Sequence, residues 1–225
     1  MKVAEDLILC EKGRALIGLY TEMVDKGHER GEGEDAVFIA PENVFSSFQL
    51  RSYAASMRPF FEQFGIATTL DYGSGGSDWL APGFDPATGQ SALEYFKLEH
   101  IYCYEPARNM DQRQLVDCVI SFDVLEHIFV ADVRAVLHDL FRYAGKLLIV
   151  NVACYPAAAK LPNGENAHVT VRAPQWWKGI VDSVALDYPE VSVLLICSTS
   201  FQKSNAFPIW KAADWHESST FVVAN

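Results

Sequence analysis

The chain is poor in positive charge. Its 225 residues carry 18 Lys and Arg against 29 Asp and Glu, a formal charge of −11, and the cations are nowhere clustered. Binding to a phosphate backbone depends on cations that displace counterions, so a nucleic-acid partner is not expected. Long apolar runs are also missing. None reaches the roughly 20 residues needed to cross a bilayer, and Glu5 and Asp6 stand ahead of only a brief apolar run, unlike a secretory signal. No membrane association is expected. The five cysteines, Cys10, Cys103, Cys118, Cys154 and Cys197, form no C-x-x-C pair and are odd in number. Four of them lie in or beside apolar strand-like runs, which reads as buried, reduced thiols in a cytoplasmic protein. No H-E-x-x-H spacing points to a metal, no G-x-S-x-G elbow points to a hydrolase, and no repeat or low-complexity stretch occurs. With 50% hydrophobic residues and no linker, the chain is expected to fold as a single domain, 1–225, with a full core.

Three stretches carry the functional reading. Thr68-Thr69-Leu70-Asp71-Tyr72-Gly73-Ser74-Gly75-Gly76-Ser77 is a short apolar, β-branched run that ends in an acid and opens into a glycine turn. Such a turn presents backbone N–H groups with no Cβ in the way, so an adenosyl ligand can approach closely. Ile101 to Pro106 is a second short strand ending in an acid, Glu105, placed to accept hydrogen bonds from a ribose diol. Val116 to His127 is a third apolar run that ends in Asp123, Glu126 and His127. Asp123 and Glu126 also have capping-box spacing, which alone would account for both acids.

Together these residues resemble the class I S-adenosylmethionine-dependent methyltransferases. Asp71-Tyr72-Gly73-Ser74-Gly75 is similar to the first motif of that family, Glu105 to its ribose-binding acid, and Phe122-Asp123-Val124-Leu125-Glu126-His127 to the block after its fourth strand. The resemblance implies S-adenosylmethionine as cofactor, held by Asp71, Tyr72, Gly73, Ser74, Gly75, Glu105, Pro106, Phe122, Asp123 and Val124. It implies an α/β fold, a doubly wound and mostly parallel sheet with an antiparallel C-terminal hairpin, with helices of residues 1–65 packed on the cofactor cleft. Two departures stand out: Ser77 replaces the usual third glycine, and the helix and third strand between Glu105 and Asp117 are reduced. Asp111 is the only local acid left to meet the adenine amino group.

The rest of the chain fills in around these motifs. Residues 3–26 have helical spacing, 27–35 read as a charged loop, and 44–64 as a helix broken or bent near Pro59 whose aromatic stripe reads as core, while the resemblance implies that Phe48, Gln49 and Tyr53 border the cleft. Residues 78–90, rich in Pro and Gly, read as an insertion that is either a lid or a surface loop. Ser91 and Glu94 form a capping box, Val130 to Tyr143 an amphipathic helix stopped by Gly145, and Lys146 to Cys154 a buried strand. The loop from Tyr155 to Val171 leaves the ligand side of the sheet, so Asn166 and His168 are expected to face a small-molecule acceptor. His168 is then the general base for a hydroxyl, or else it ties the loop down through a backbone carbonyl. His127 is expected near the cleft, as a second catalytic candidate or a structural histidine. Trp176 and Trp177 read as packing in a helix starting at Pro174. Val191 to Ser198 and Ser219 to Val223 read as the closing strands, and the tip between them, Ser200 to Glu217, as a cover for the substrate or the contact of a homodimer. Two other classes compete with O- or N-methyl transfer: a non-catalytic module that keeps the fold, and an NAD-dependent oxidoreductase. The latter wants a helix where Pro82 and Gly83 stand.

Overall fold

The computed structural model describes residues 7–31, 36–46, 49–209 and 220–222. Strands β1 (His28–Arg30) and β2 (Val37–Ile39) form a two-stranded sheet, with Arg30 also bridged to Ala159. The other described strands are β3 (Thr68–Tyr72), β4 (His100–Glu105), β5 (Met110–Asp111), β6 (Val116–Phe122), β7 (Ala144–Ala153), β8 (Ser192–Ser200), β9 (Lys203–Ile209) and β10 (Thr220–Val222). They form one sheet in the order β10-β9-β8-β7-β6-β3-β4-β5. Five of them, β4, β3, β6, β7 and β8, run parallel, while β5, β9 and β10 are antiparallel to their neighbours. Parallel strands end on a common edge, so Tyr72, Glu105, Phe122 and Ala153 all arrive at the same rim.

A parallel sheet must be covered on both faces, which is why β7 is apolar almost throughout. Its residues alternate between two cores. Leu148, Val150 and Val152 pack with helices α4 (Val130–Tyr143) and α5 (Pro174–Ala185), whereas Leu147 and Ile149 pack with α2 (Ala54–Phe64) and the short α3 (Ala92–Tyr95). Helix α4 contributes Val133, Val136, Leu137, Leu140 and Phe141, each almost wholly buried. That is one helical stripe, worth about 2 kcal/mol per side chain removed from water. Helix α1 (Glu11–Lys26) lies against the start of α4: Asp132 accepts from the Cys10 N–H at 2.8 Å, and a Cβ on Gly13 would run into the Asp132 carboxylate.

Several expectations need correction. The N-terminal 65 residues are not all helical, because β1 lies within the segment read as a charged loop. Gly145 does not stop α4. It belongs to β7, where a Cβ would come within 2.9 Å of the Val116 carbonyl. The antiparallel partner of β8 is β9, in the stretch read as a tip, and β10 pairs with β9 instead. Pro208 lies within β9 opposite Leu194, although proline is uncommon in an inner strand. Residues 78–90 form no helix or strand; most of them are exposed, so they are the expected surface loop, anchored by Trp79 and Phe84 in the α2-side core. The acids Asp123 and Glu126 do not cap a helix: a 3-10 turn at Leu125–His127 has no side-chain cap, and α4 begins only at Val130. The helix and third parallel strand missing between Glu105 and Asp117 are indeed absent, with only the two-residue β5 in their place. No helix among the described residues is long and apolar enough to cross a membrane.

Candidate functional site

At the common rim of the parallel strands opens a cavity of about 740 Å³, within the size range of small-molecule and cofactor pockets. Its walls are the turn from Asp71 to Gly75, Glu105 to Ala107, Phe122 to Val124, the body of α1, the segment around Phe45 and Tyr53, and the loop after β7. The rim has two sides of different character.

On the first side the polar groups are engaged with backbone. Gly73 and Ser74 N–H groups both donate to the Tyr104 carbonyl, at 2.7 and 3.1 Å. Gly73 has φ +80°, and a Cβ there would collide with Val124, so glycine is required twice over. Glu105 is buried, with Oε2 accepting from the Gly75 N–H at 2.9 Å and Oε1 from the Ala107 N–H at 3.0 Å. Burial raises the Glu105 pKa against the pull of those two N–H groups. The Gly76 N–H donates to Phe45 O at 3.0 Å, so the chain at Phe45 crosses over the glycine turn. Asp71 is buried and accepts from Trp79 Nε1–H at 2.8 Å. Loss of water pushes its pKa up to about 7 despite that bond. Tyr72 belongs to the cavity wall, but its hydroxyl donates to Asp139 in α4 at 2.9 Å. Pro106 and Phe122 line the cavity, the latter with its ring 5.7 Å from that of Tyr53. Gln49 and Tyr53 line it too, while Phe48 lies outside the described residues. Asp111 is exposed, held by Arg113 at 2.6 Å, and does not reach the cavity.

On the second side the side chains keep atoms to spare. Asp123 has φ +59°, a strained conformation for a residue with a Cβ, and points a partly exposed carboxylate at the cavity. His168 is buried, and its Nδ1 lies 2.5 Å from the Tyr155 carbonyl. A carbonyl only accepts, so Nδ1 carries the proton and Nε2 keeps its lone pair, 4.0 Å from Asp123 Oδ1. The ring thus ties the loop to a backbone carbonyl, one of the two expectations for it, and it also lines the cavity. His127 packs edge-on against it, with centroids 4.8 Å apart. Its Nδ1 lies 2.7 Å from Tyr20 Oη and 2.9 Å from Ala167 O, and Tyr20 also reaches that carbonyl at 2.8 Å. With both donating toward Ala167 O, the nitrogen left over on His127 is again Nε2. Burial drops the His127 pKa to about 4, so the ring is neutral near pH 7.

Asn166, like Asp111, is an expected site residue that does not line the cavity. Its side chain clamps Ala157, accepting from the N–H and donating to the carbonyl, and also accepts from the His168 N–H at 3.0 Å; it does not line the cavity. Its effect on the cavity runs through His168.

Of three further residues at the site, Tyr20 is not singled out by the sequence, whereas Tyr53 is expected at the cleft border and Glu126 is among the acids of the third stretch. Tyr20 lines the cavity from α1, and burial beside Glu126 and Asp123 raises its pKa far above the usual range. Tyr53 ties Ser198 and Ser204 together, at 2.8 Å to each. Glu126 is fully buried, and its Oε1 accepts from the Ala153 N–H. Its Oε2 has no hydrogen-bond partner by distance and angle. Burial first, then the Asp123 charge beside it, raises the Glu126 pKa well above the carboxylate range. Spacing in the chain signals none of these contacts, since each joins residues far apart in sequence. No family model, curated protein or solved structure matches this chain.

Proposed function

We propose that the protein transfers a methyl group from S-adenosylmethionine to a hydroxyl or amine of a small molecule, on a doubly wound, Rossmann-like sheet. The observation that carries this reading is convergence. The chain moves outward from β3 to β4 and then returns past β3 to β6, so the strand order reverses beside β3. In open α/β sheets that reversal is where ligands bind, outside the carboxyl ends of the strands. The glycine turn, Glu105 and Asp123 all meet the cavity there.

The residues present fit the donor. Glycine at position 73 lets Val124 pack directly on the turn, since a Cβ there would collide with it. Each Glu105 oxygen holds one N–H and can accept a second hydrogen bond, the capacity a ribose diol needs. When bound, the donor supplies an electrophilic methyl group on a sulfonium that is already a good leaving group. The chain then has to align the reactants, keep water out and accept a proton. His168 is placed to accept that proton. Its Nε2 takes the proton from the acceptor, Tyr155 O keeps hold of Nδ1–H, and the Asp123 carboxylate 4.0 Å away stabilises the resulting cation. His127, neutral and braced by Tyr20, shapes the pocket beside it.

The structure weighs against NAD. Pyrophosphate binding uses the N-terminus of a helix that opens from the glycine turn, and here no helix forms before the four-residue α3 at Ala92–Tyr95. A non-catalytic module remains the second reading, favoured by Phe45 O closing over the Gly76 N–H. Thermal shift and calorimetry with S-adenosylmethionine, S-adenosylhomocysteine and NAD separate the three. Stabilisation by the adenosyl compounds alone is expected. Saturation by NAD with no adenosyl response would overturn the proposal, and adenosyl binding with no turnover over a panel of hydroxyl and amine acceptors would favour the module.

A further inference from the structure

The geometry points to a divalent transition-metal site formed by Asp123, His127 and His168. One carboxylate oxygen and one nitrogen from each imidazole all lie within 4.8 Å of one another. Two ligands of a single ion with bonds near 2.1 Å can be at most about 4.2 Å apart. The His168 to Asp123 distance of 4.0 Å already satisfies that limit, and small side-chain rotations bring in the third group.

Three further features suit a cation rather than a chance cluster. First, each histidine is braced at Nδ1 by a backbone carbonyl, Tyr155 O for His168 and Ala167 O for His127. That is how metal-bound imidazoles are oriented and their tautomer fixed. Second, Glu126 is wholly buried beside Asp123, with Oε2 lacking any hydrogen-bond partner. A positive ion at Asp123 would supply the favourable charge that this carboxyl lacks. Third, Asp123 is partly exposed on the cavity while His168 is buried, so an ion held here keeps open positions toward the cavity. Two nitrogens and one oxygen select Mn²⁺, Fe²⁺, Co²⁺ or Zn²⁺ over Mg²⁺ and Ca²⁺, which prefer oxygen.

The metal site does not depend on the methyl donor. It does compete with one step above, because the single lone pair of His168 Nε2 cannot both bind a metal and take a proton. With the ion in place, an acceptor hydroxyl bound at an open position would be acidified by the metal, and its proton would pass to water.

The test uses the full chain after chelator treatment, titrated with Mn²⁺, Co²⁺ or Zn²⁺ alone. Calorimetry and the electron paramagnetic resonance of Mn²⁺ give stoichiometry and affinity, and the visible bands of Co²⁺ report nitrogen and oxygen coordination. One ion per chain is expected, with affinity lowered at least tenfold in both Asp123→Asn and His168→Ala. Asn tolerates positive φ, so Asp123→Asn is the variant that keeps the local backbone; Lys146→Ala, remote from the cluster, should match the wild type. Absence of binding at a hundred micromolar ion, or equal affinity in a folded Asp123→Asn chain, would overturn the site. Since no adenosyl compound is present, that failure is distinct from failure of the methyl-transfer reading.

Discussion

The two sides of the cavity rim are built on opposite terms. Along the glycine turn and Glu105, nearly every polar group is engaged with the protein's own backbone. Around Asp123, the backbone is strained, Glu126 Oε2 is unsatisfied and two imidazole Nε2 atoms remain open. Strain and unmet hydrogen bonds persist only where surrounding structure holds them. On the proposed function the first side would serve as a preformed seat and the second as the reactive face, and substitutions on the two should fail differently.

The largest effect is expected on the reactive face. His168→Ala should lower turnover about 10² to 10⁴-fold, the range for loss of a positioned proton acceptor, with S-adenosylhomocysteine affinity unchanged by calorimetry. Equal turnover in a folded variant would erase the distinction between the sides. Next comes the pH response of the seat. Asp71 is raised from an unfolded pKa near 4 to about 7, so between those values the folded state holds a proton that the unfolded state has released. Its contribution is therefore complete at low pH and is lost as pH rises toward 7, by about 4 kcal/mol. Asp71→Asn, which can still accept from Trp79, should flatten that part of a denaturant-melt series from pH 4 to 8. Glu105 and Glu126 are shifted the same way and leave a residual slope.

A smaller effect is expected at Glu105. Glu105→Ala should weaken S-adenosylhomocysteine by about 1 to 3 kcal/mol, the usual cost of hydrogen bonds to a charged group, and lower stability as the Gly75 and Ala107 N–H groups lose their acceptor. An unchanged affinity would assign the acid to loop bracing alone. The smallest effect on stability belongs to Asp123→Gly. Relief of the positive φ offsets the added freedom of the unfolded chain, so the change should stay within about 1 kcal/mol while titrated Mn²⁺ binding is lost. A large destabilisation would make Asp123 part of the scaffold.

The seat was far more legible in the sequence than the reactive face, and for a physical reason. β3, β4 and β6 announce themselves by local runs, and α4 by a single stripe, because burial on a helix or strand leaves a period in the chain. The glycine turn is equally local. What joins His168 to Asp123 and His127 is the fold of a long loop, pinned by Asn166 to Ala157, and no spacing encodes that. The misplacement of Asn166 follows from the same cause: position in a loop predicts nearness to the cavity, not which way a side chain turns. The absence of a metal spacing in the chain likewise said nothing about ligands that only tertiary structure assembles. β9 falls in the stretch read as a tip, and its place beside β8 is set by the sheet rather than by any local signal.

Phe45 links the two sides mechanically. Its carbonyl grips the Gly76 N–H, while its ring lies 6.0 Å from that of Tyr20, whose hydroxyl meets His127. A guest that lifts Phe45 off the glycine turn would also move the ring beside Tyr20, which would couple the two sides of the cavity. Thermodynamic reciprocity then fixes the traffic: whatever factor a first guest imposes on the affinity of a second is returned in full when the order of arrival is reversed.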